Sequence, residues 1–390
     1  MMKIALISDV YLPVETAGST CRTTAAHVRI LAEGLARIGH KVMVGAPELS
    51  LSKPVTEGRL IKCAGKHADN WAGIHLSRAG EKQMAEKLDA FQPDILHIHT
   101  LSATGSFAMQ YAKEKQIPAL LTVHTLEDLE KSGHVFSPLA LWQERLRIQT
   151  AQQLLSTSRY ITVLSEAMAN ALHQDGIRIL GQPFPIAIDT EAFYPGAAES
   201  FQKRALADSL SLGKQHVVLC DSGEEDSLYP FLEEWGRSFS DTDPFHLLLL
   251  NNESQTGELY SLIHSLHLSQ RVSLSGSLST EDLAACYELA CCYISCSRSE
   301  VLYLSAAEAA ACGTPVLVRS GSGTASLVEN KHNGFLWSSE AEAFGLVRKF
   351  ARVTGVGRDA LIKMVSGTMR TLTPQNQARA AESLYRTLLP

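Results

Sequence analysis

Residues 298–316, RSEVLYLSAAEAAACGTPV, follow the short apolar stretch Cys292–Cys296 and run into a second one, Pro315–Val318. The apolar stretches are predicted to be buried strands, and the alanine-rich segment between them is predicted to be a helix. A strand, a helix and a second strand in this order form a parallel βαβ unit. Glu300 and Glu308, with seven residues between them, fall at the strand end and just inside the helix. Binding sites form at such strand ends in open α/β sheets.

The same alternation of strands and helices extends over almost the whole chain, in two series. The strand candidates of the first series are Lys3–Ser8, Lys41–Ala46, Asp94–Ile98, Ala119–His124 and Tyr160–Leu164. Those of the second are His216–Cys220, His246–Asn251, Arg271–Leu274, Cys292–Cys296, Pro315–Val318 and Gly334–Trp337. The proline-containing stretch Gly181–Gly196 between the series is typical of a linker. The prediction is an α/β protein with two Rossmann-like domains, residues 1–185 and residues 197–373.

The bulk composition is typical of a soluble globular protein, with 45% hydrophobic and 19% charged residues. No apolar run approaches the roughly 20 residues of a transmembrane helix. The N-terminus lacks the pattern of a secretory signal, so a cytoplasmic protein is expected. The formal net charge of −6 argues against nucleic acid as a main partner. The acidic excess lies in residues 191–390, whereas the charges of residues 1–190 nearly balance.

The spacing of Glu300 and Glu308, with the CGTPV sequence after them, resembles the E-x7-E signature of the retaining glycosyltransferases of family 4. The resemblance implies the GT-B fold, in which parallel sheets of an N-terminal acceptor domain and a C-terminal nucleotide-sugar donor domain face across a cleft. It also implies that a helix in residues 374–390 packs back on the first domain. By resemblance, Glu300 contacts the transferred sugar, Glu308 the nucleotide ribose, and His124 lies beside the reacting sugar. The other donor-binding positions that it implies are Gly18, Gly276, Tyr303 and Leu304.

A narrower resemblance is to enzymes that glucosylate diacylglycerol. It is carried by His99, Thr100, Ala112, Lys113, Ile117, Pro118, His124, Thr125, Glu127 and Asp128. Such enzymes bind anionic membranes through a basic amphipathic face. Here Arg145, Arg147 and Arg159 accompany a predicted helix within Pro138–Ser156. This helix is expected to form either such a peripheral membrane contact or a core-facing helix with a solvated edge.

The segment after the first strand of the second domain departs from the family pattern. Active members carry an arginine and a lysine there that face the donor's diphosphate, and the corresponding residues here are Asp221 and Asp226. No lysine or arginine occurs in residues 215–236. Because a charge-assisted hydrogen bond contributes roughly 1.5–3 kcal/mol, the loss of both cations would weaken donor binding about a thousandfold. Tyr303 also stands where the family often has glycine.

Two functions therefore stay open. The first is a metal-independent, retaining hexosyltransferase with His124 and Glu300 as catalytic residues, a UDP-linked sugar as donor, a lipid or glycan as acceptor and no cofactor. The alternative is a catalytically degenerate relative that binds a partner protein or a carbohydrate. No metal site is expected, because Asp241 and Asp243 in the sequence SDTDP indicate a turn.

Overall fold

The computed structural model describes residues 1–11, 19–67, 73–126, 129, 138–210, 212, 215–221, 225–251 and 256–389, without the side chains of residues 19–21, 138–140 and 225. The chain divides into two compact units. Unit 1 consists of Met1–Tyr11, Thr24–Ala187 and Pro374–Pro390, and unit 2 consists of Leu12–Thr23 and Ile188–Thr373. Among the described residues, no helix combines the length and the apolarity needed to cross a bilayer.

Unit 1 is built on a mostly parallel sheet. Its strands are β1 Lys3–Ile7, β2 Lys41–Glu48, β3 Val55–Glu57, β4 Leu60–His67, β5 Ile74–Leu76, β6 Ile95–Ile98, β7 Ala119–Val123 and β8 Ile161–Val163. Its helices are α1 Ser19–Arg37 (from Thr24 onward), α2 Arg78–Phe91, α3 Ala103–Lys115, α4 Pro138–Thr157, α5 Glu166–Gln174 and α13 Pro374–Leu388.

The parallel strands of unit 1 follow the order β4-β2-β1-β6-β7-β8, and β3 and β5 pair antiparallel with β4. Counted along the chain, the parallel order is 3-2-1-4-5-6, that of a doubly wound Rossmann sheet. The order reverses between β1 and β6, so the carboxyl ends of these two strands are where a ligand crevice is expected. The central strands β1 and β6 are almost entirely buried, as strands covered by helices on both faces must be.

Unit 2 repeats this design. Its strands are β9 His216–Asp221, β10 Phe245–Leu250, β11 Val272–Leu274, β12 Cys292–Ser295, β13 Val316–Arg319 and β14 Gly334–Trp337. Its helices are α6 Ser200–Ser209, α7 Glu225–Ser238, α8 Thr256–Ser265, α9 Thr280–Leu289, α10 Leu304–Ala311, α11 Glu340–Ala351 and α12 Val356–Thr368, with a 3₁₀-helix at Gly323–Leu327. All six strands are parallel in the order β11-β10-β9-β12-β13-β14, so the reversal lies between β9 and β12. The prediction of two parallel α/β domains is confirmed.

Serine side chains fix where several helices begin. In each case the hydroxyl oxygen accepts a backbone N–H from the first turn, which satisfies one of the donors that a helix leaves unpaired. The capping serines are Ser77 before α2, Ser102 before α3, Ser165 before α5, Ser279 before α9 and Ser339 before α11. Ser102 follows β6 closely, so its cap also fixes the loop at the sheet reversal of unit 1.

Candidate active site

The sheet reversal of unit 2 holds the two glutamates that the sequence singled out. Glu300 follows the end of β12 and is partly exposed, and Glu308 is buried inside helix α10. Asp221 is the last residue of the neighbouring strand β9. The parallel pairing of β9 with β12 places the ends of both strands at one edge of the sheet. Three carboxylates therefore belong to the edge where a ligand is expected.

Glu308 is held by two hydrogen-bond donors. Its Oε2 accepts from Arg22 Nη2 at 2.6 Å and from the Tyr287 hydroxyl at 2.8 Å. Burial alone would lower the pKa of the Arg22 guanidinium, but the Glu308 carboxylate raises that pKa above its ordinary value. Glu308 is thus a buried carboxylate with a permanently charged partner, and a nucleotide ribose that bonds to it would share or replace these donors.

Asp221 is turned into the unit. Its Oδ2 accepts from the Ser305 hydroxyl at 2.6 Å and from the Tyr293 hydroxyl, and the residue is 6% exposed. Burial raises the pKa of this carboxyl, although both hydroxyl donors act in the opposite direction. Asp221 occupies the position predicted for the diphosphate-binding arginine, and its carboxylate is used in a hydrogen-bond network within the unit. Asp226, at the other predicted position, is exposed on the first turn of α7.

Glu300 is supported by a glycine that the sequence did not point out. The Gly323 amide donates to the Ser299 carbonyl at 2.9 Å. A Cβ at Gly323 would lie 1.9 Å from the Glu300 carbonyl oxygen, far inside van der Waals contact. Only glycine therefore permits this approach between the 3₁₀-helix and the Glu300 turn.

The start of α10 is less open than the sequence suggested. Tyr303 is the N-cap residue, its side chain is buried, and its amide donates to Thr324 Oγ1 at 3.1 Å. The Leu304 amide lies 3.4 Å from Thr23 Oγ1. The amide groups of these two predicted donor-binding positions thus already have hydroxyl acceptors nearby.

Gly276 has the conformation that a close ligand approach requires. Its φ is +63°, a value that favours glycine, and no non-adjacent residue that the structure describes has an atom within 4 Å of the position that a Cβ would take. Its amide donates to Asn251 Oδ1 at 2.9 Å, which fixes the loop after β11. Gly18, the other predicted donor-binding glycine, lies outside the described residues.

In unit 1, His124 follows β7 and belongs to a cluster of buried histidines. Its Nε2 lies 3.1 Å from His99 Nδ1, and its ring meets the His27 ring edge-on with centroids 5.1 Å apart. The His97 ring packs against the His99 ring with centroids 4.0 Å apart and planes tilted by 37°. Burial lowers the pKa of His27 to about 3 and holds the pKa values of the other three rings well below their usual range. All four imidazoles are therefore neutral at physiological pH, so His124 acts as a neutral hydrogen-bonding group.

A second group at the edge of this sheet was missed by the sequence reasoning. Asp9 follows β1, and its Oδ2 accepts from Thr100 Oγ1 at 2.6 Å and lies 3.2 Å from His75 Nδ1. Burial would raise the pKa of Asp9, but the bond to His75 and the other donors lower it below the usual value. Asp9 and Thr100 flank the reversal between β1 and β6. The aspartate directly after the first strand was the available signal.

Two family models match this arrangement of two Rossmann-like units. Residues 24–182 match the model described as Glycosyltransferase Family 4, and residues 236–354 match Glycosyl transferases group 1. Together the two matches cover most of the chain and fall on the two units. The chain belongs to these two-domain glycosyltransferases. This confirms the family resemblance, and the protein is an enzyme of the hexosyltransferase type that uses sugar-nucleotide donors.

The relatives of this glycosyltransferase include lipid-directed enzymes. The alpha-monoglucosyldiacylglycerol synthase of Acholeplasma laidlawii is 23% identical over 412 residues, which cover 100% of this chain and 98% of that protein. The synthase of the same name from Streptococcus pneumoniae is 21% identical and covers 89% of this chain and 77% of its own.

Solved structures of the same fold cover both units of the glycosyltransferase. Sucrose-phosphate synthase from Thermosynechococcus elongatus superposes with a TM-score of 0.75 at 20% identity, over 100% of this chain and 99% of its own. HepE of Anabaena, in complex with UDP and glucose, superposes with a TM-score of 0.68 at 16% identity, over 99% of this chain and 100% of its own. At these identities the likeness establishes the fold.

Proposed function

We propose that this glycosyltransferase transfers a hexose from a UDP-linked sugar to a lipid acceptor of the diacylglycerol type, with retention of the anomeric configuration. The transfer step uses no metal ion. The C1–O bond to the diphosphate breaks, the acceptor hydroxyl oxygen bonds to C1 on the same face of the sugar, and the hydroxyl proton passes to the leaving diphosphate. The names of the two synthase relatives and the UDP bound in HepE support the acceptor and donor classes.

The observation that carries the lipid acceptor is the outer face of helix α4. Leu141, Trp142 and Leu146 are exposed by 42%, 58% and 41%, and Arg145 is exposed between them. The two adjacent pairs are three to four residues apart, which places these side chains on one side of the helix. Exposed tryptophan and leucine beside arginine are typical of helices that lie in the interface of an anionic membrane. The C-terminal half of the same helix is anchored by the buried residues Ala151, Leu154 and Leu155.

The proposed roles rest on positioning, and the proposal assigns no side chain as a nucleophile. Glu300 and His124 hold the transferred sugar, the latter as a neutral donor or acceptor, and Glu308 holds the ribose. Arg22 supplies the positive charge that the missing arginine and lysine would give, because it already lies 2.6 Å from Glu308 and within the field of Asp221. Stabilising a leaving diphosphate in this way is the main electrostatic task of such a site.

Donor binding is tested by calorimetric titration of the purified chain with UDP, UDP-glucose and GDP-mannose. Micromolar binding of the uridine nucleotides is expected, and Arg22→Gln should weaken it about 10-fold to 100-fold. Asp221→Arg is a poor probe, because it would bury a long cation among Tyr293 and Ser305. Asp226→Lys is the better one, since the position is exposed. If the wild type fails to bind and Asp226→Lys binds, the donor site is degenerate and the alternative function holds.

The acceptor is tested by transfer from radiolabelled UDP-glucose to diacylglycerol or monoglucosyldiacylglycerol in anionic vesicles, with a soluble oligosaccharide in parallel. We expect lipid labelling that persists in EDTA, with an α-linked product by NMR. Trp142→Ala should lower vesicle binding and lipid transfer together and leave UDP affinity unchanged. Transfer only to the oligosaccharide would contradict the lipid acceptor, and loss of transfer in EDTA would contradict the metal-free step.

A further inference from the structure

We propose that unit 1 contains a binding site for one zinc-type divalent ion, formed by His27, His99 and His124. His27 lies on helix α1, His99 directly follows β6 and His124 directly follows β7. The three rings come from segments far apart in the sequence and meet at the carboxyl edge of the sheet. The three histidines all belong to unit 1.

The distances within the triad match those of ligands that share one ion. One possible ligand atom from each ring lies within 4.8 Å of the other two. The ring centroids are 5.1, 5.3 and 5.7 Å apart, and His99 Nδ1 lies 3.1 Å from His124 Nε2. Three imidazoles around a tetrahedral zinc ion, with Zn–N bonds of about 2.0–2.1 Å, have centroids roughly 5 Å apart and ligand nitrogens roughly 3.3 Å apart. An ion therefore requires only small shifts of the rings.

The triad is also under-satisfied, and an ion bound at His27 Nε2 would occupy one of its unpaired nitrogens. All three residues are buried, and each ring has one buried nitrogen without a hydrogen-bond partner among the described residues: His27 Nε2, His99 Nε2 and His124 Nδ1. An unpaired buried polar atom is costly and rare. His97 shows the contrast, because its two nitrogens lie 2.7 Å from the Tyr385 hydroxyl and 2.6 Å from Thr122 Oγ1. Hydrogen bonding therefore accounts for both nitrogens of His97, whereas it accounts for only one nitrogen in each ring of the triad.

The ligand type selects the ion. The group consists of imidazoles alone, and imidazole nitrogen suits Zn²⁺, Cu²⁺ and Ni²⁺, whereas Mg²⁺ and Ca²⁺ require oxygen ligands. Three histidines leave the fourth position of a tetrahedral ion to water or to a substrate oxygen. When the ion binds, the proton in the hydrogen bond between His99 and His124 would move to the other nitrogen of the ring that carries it. That imidazole would therefore change its tautomer.

Gln377 provides the supporting contact that histidine ligands usually have. Its Nε2 lies 3.4 Å from His27 Nδ1 and donates to the Pro185 carbonyl at 3.0 Å, and its Oε1 is buried without a partner in the described part of the chain. A half-turn of this amide would present Oε1 to an N–H at His27 Nδ1 and would give up the hydrogen bond to the Pro185 carbonyl. That tautomer leaves Nε2 of His27 free to bind the ion.

The proposal has a consequence for transfer that rests on the proposed function. There His124 positions the sugar as a neutral side chain, and an ion that takes its nitrogen removes it from that role. Zinc would then inhibit transfer, whereas magnesium would not. The site itself does not depend on this consequence, because binding is measured without substrate.

The experiment is a titration of the chelator-treated full chain with Zn²⁺ by equilibrium dialysis and with Co²⁺ by visible absorption. We expect one ion per chain, bound with a micromolar or smaller Kd, and the intense d–d bands of four-coordinate Co²⁺ without a thiolate charge-transfer band. His27→Asn and His99→Asn should each weaken binding roughly 100-fold. The control His264→Asn lies on helix α8 of unit 2 and should bind as the wild type does.

Two measurements keep the test decisive if a variant folds poorly. Near-ultraviolet circular dichroism checks the fold of each variant, and the wild type alone should unfold at a higher temperature with Zn²⁺ than with Mg²⁺. Weak six-coordinate Co²⁺ bands, no shift in the unfolding midpoint, or unchanged binding in His99→Asn would overturn the site. Zinc binding without inhibition of transfer would leave the site standing and overturn the role of His124 in the proposed function. No transfer at all, with zinc still bound, would overturn the proposed function alone.

Discussion

The two sheet reversals of this glycosyltransferase have the same topology and opposite chemistry. In the described part of unit 1, four neutral histidines and the Asp9 carboxylate line the edge beside β1 and β6. In unit 2 the edge beside β9 and β12 holds the carboxylates Asp221 and Glu308, the hydroxyls of two tyrosines and the Arg22 guanidinium. Strand order fixes where a site forms, and the few residues after each strand decide whether it works by neutral hydrogen bonding or by charge.

The largest expected effect is on the pH dependence of the free energy of unfolding, which the buried histidines of unit 1 should dominate. Burial lowers the pKa values of the four histidines, so below about pH 6.5 the unfolded chain binds more protons than the folded one. Their neutral-state stability is therefore present above pH 6.5 and is lost as the pH falls. In chelator-treated protein the free energy of unfolding should fall by about 4 kcal/mol between pH 6.5 and 5.5. The residues are His27, His97, His99 and His124.

Urea denaturation at both pH values measures this effect. Because His27→Asn removes one of the four groups, it should reduce the pH dependence by about a quarter. A free energy of unfolding that does not change with pH would contradict the neutral histidine cluster.

The sequence predicted the strands of both sheets well because they are apolar and bounded by turns. The strand predicted at Lys3–Ser8 is observed at Lys3–Ile7, and the strand predicted at His246–Asn251 is observed at Phe245–Leu250. Strands β3 to β5 were missed. All three residues of β3 are exposed, so no apolar pattern marks it, and β3 and β5 form by pairing with β4.

The sequence named residues for the candidate site, whereas their contacts could not be predicted from it. The sequence pattern indicated that Asp221 lies at the end of a strand. Its inward hydrogen bonds could not be predicted, because they depend on Tyr293 and Ser305 from other elements. Arg22 and Glu308 are separated by 286 positions, so no local spacing could pair them. The histidine triad is likewise assembled from three elements, which is why no metal-binding pattern was visible.

The next largest effect is expected on the free energy of unfolding when the buried charge network of unit 2 loses Glu308. Glu308→Ala removes the carboxylate beside a largely buried guanidinium and should lower the free energy of unfolding by about 3 kcal/mol. Tyr287→Phe removes one neutral donor and should cost about 1 kcal/mol. As a control, Arg386→Ala breaks an exposed helical ion pair with Glu382 and should cost under about 0.5 kcal/mol. Equal effects of Glu308→Ala and Arg386→Ala in urea denaturation would argue against a buried ion pair.

A smaller effect tests the support of Glu300. Gly323→Ala places a methyl group 1.9 Å from the Glu300 carbonyl oxygen, so the turn must move. We expect a loss of about 2 kcal/mol in stability and a 10-fold to 100-fold fall in kcat for sugar transfer. Gly345→Ala is the matched control, because it lies inside helix α11 with open space at the Cβ and should be neutral or slightly stabilising. A Gly323→Ala variant with wild-type kcat would show that Glu300 tolerates displacement.

The smallest expected effect is the difference in stability between two substitutions, one of a carboxylate at each sheet edge. The pKa of Asp9 is lowered, so its carboxylate stabilises the fold above about pH 3.9 and loses that contribution as the pH falls. The pKa of Asp221 is raised, so its ionised form destabilises the fold at neutral pH and this cost is relieved as the pH falls. At pH 7.5, Asp9→Asn should therefore cost about 1 kcal/mol, whereas Asp221→Asn should be neutral or stabilising by a similar amount. Urea denaturation of both variants measures the difference. If Asp221→Asn proved the more destabilising of the two, the Asp221 charge would be needed by Arg22, and the carboxylates of unit 2 would form a single buried charge cluster that depends on both members.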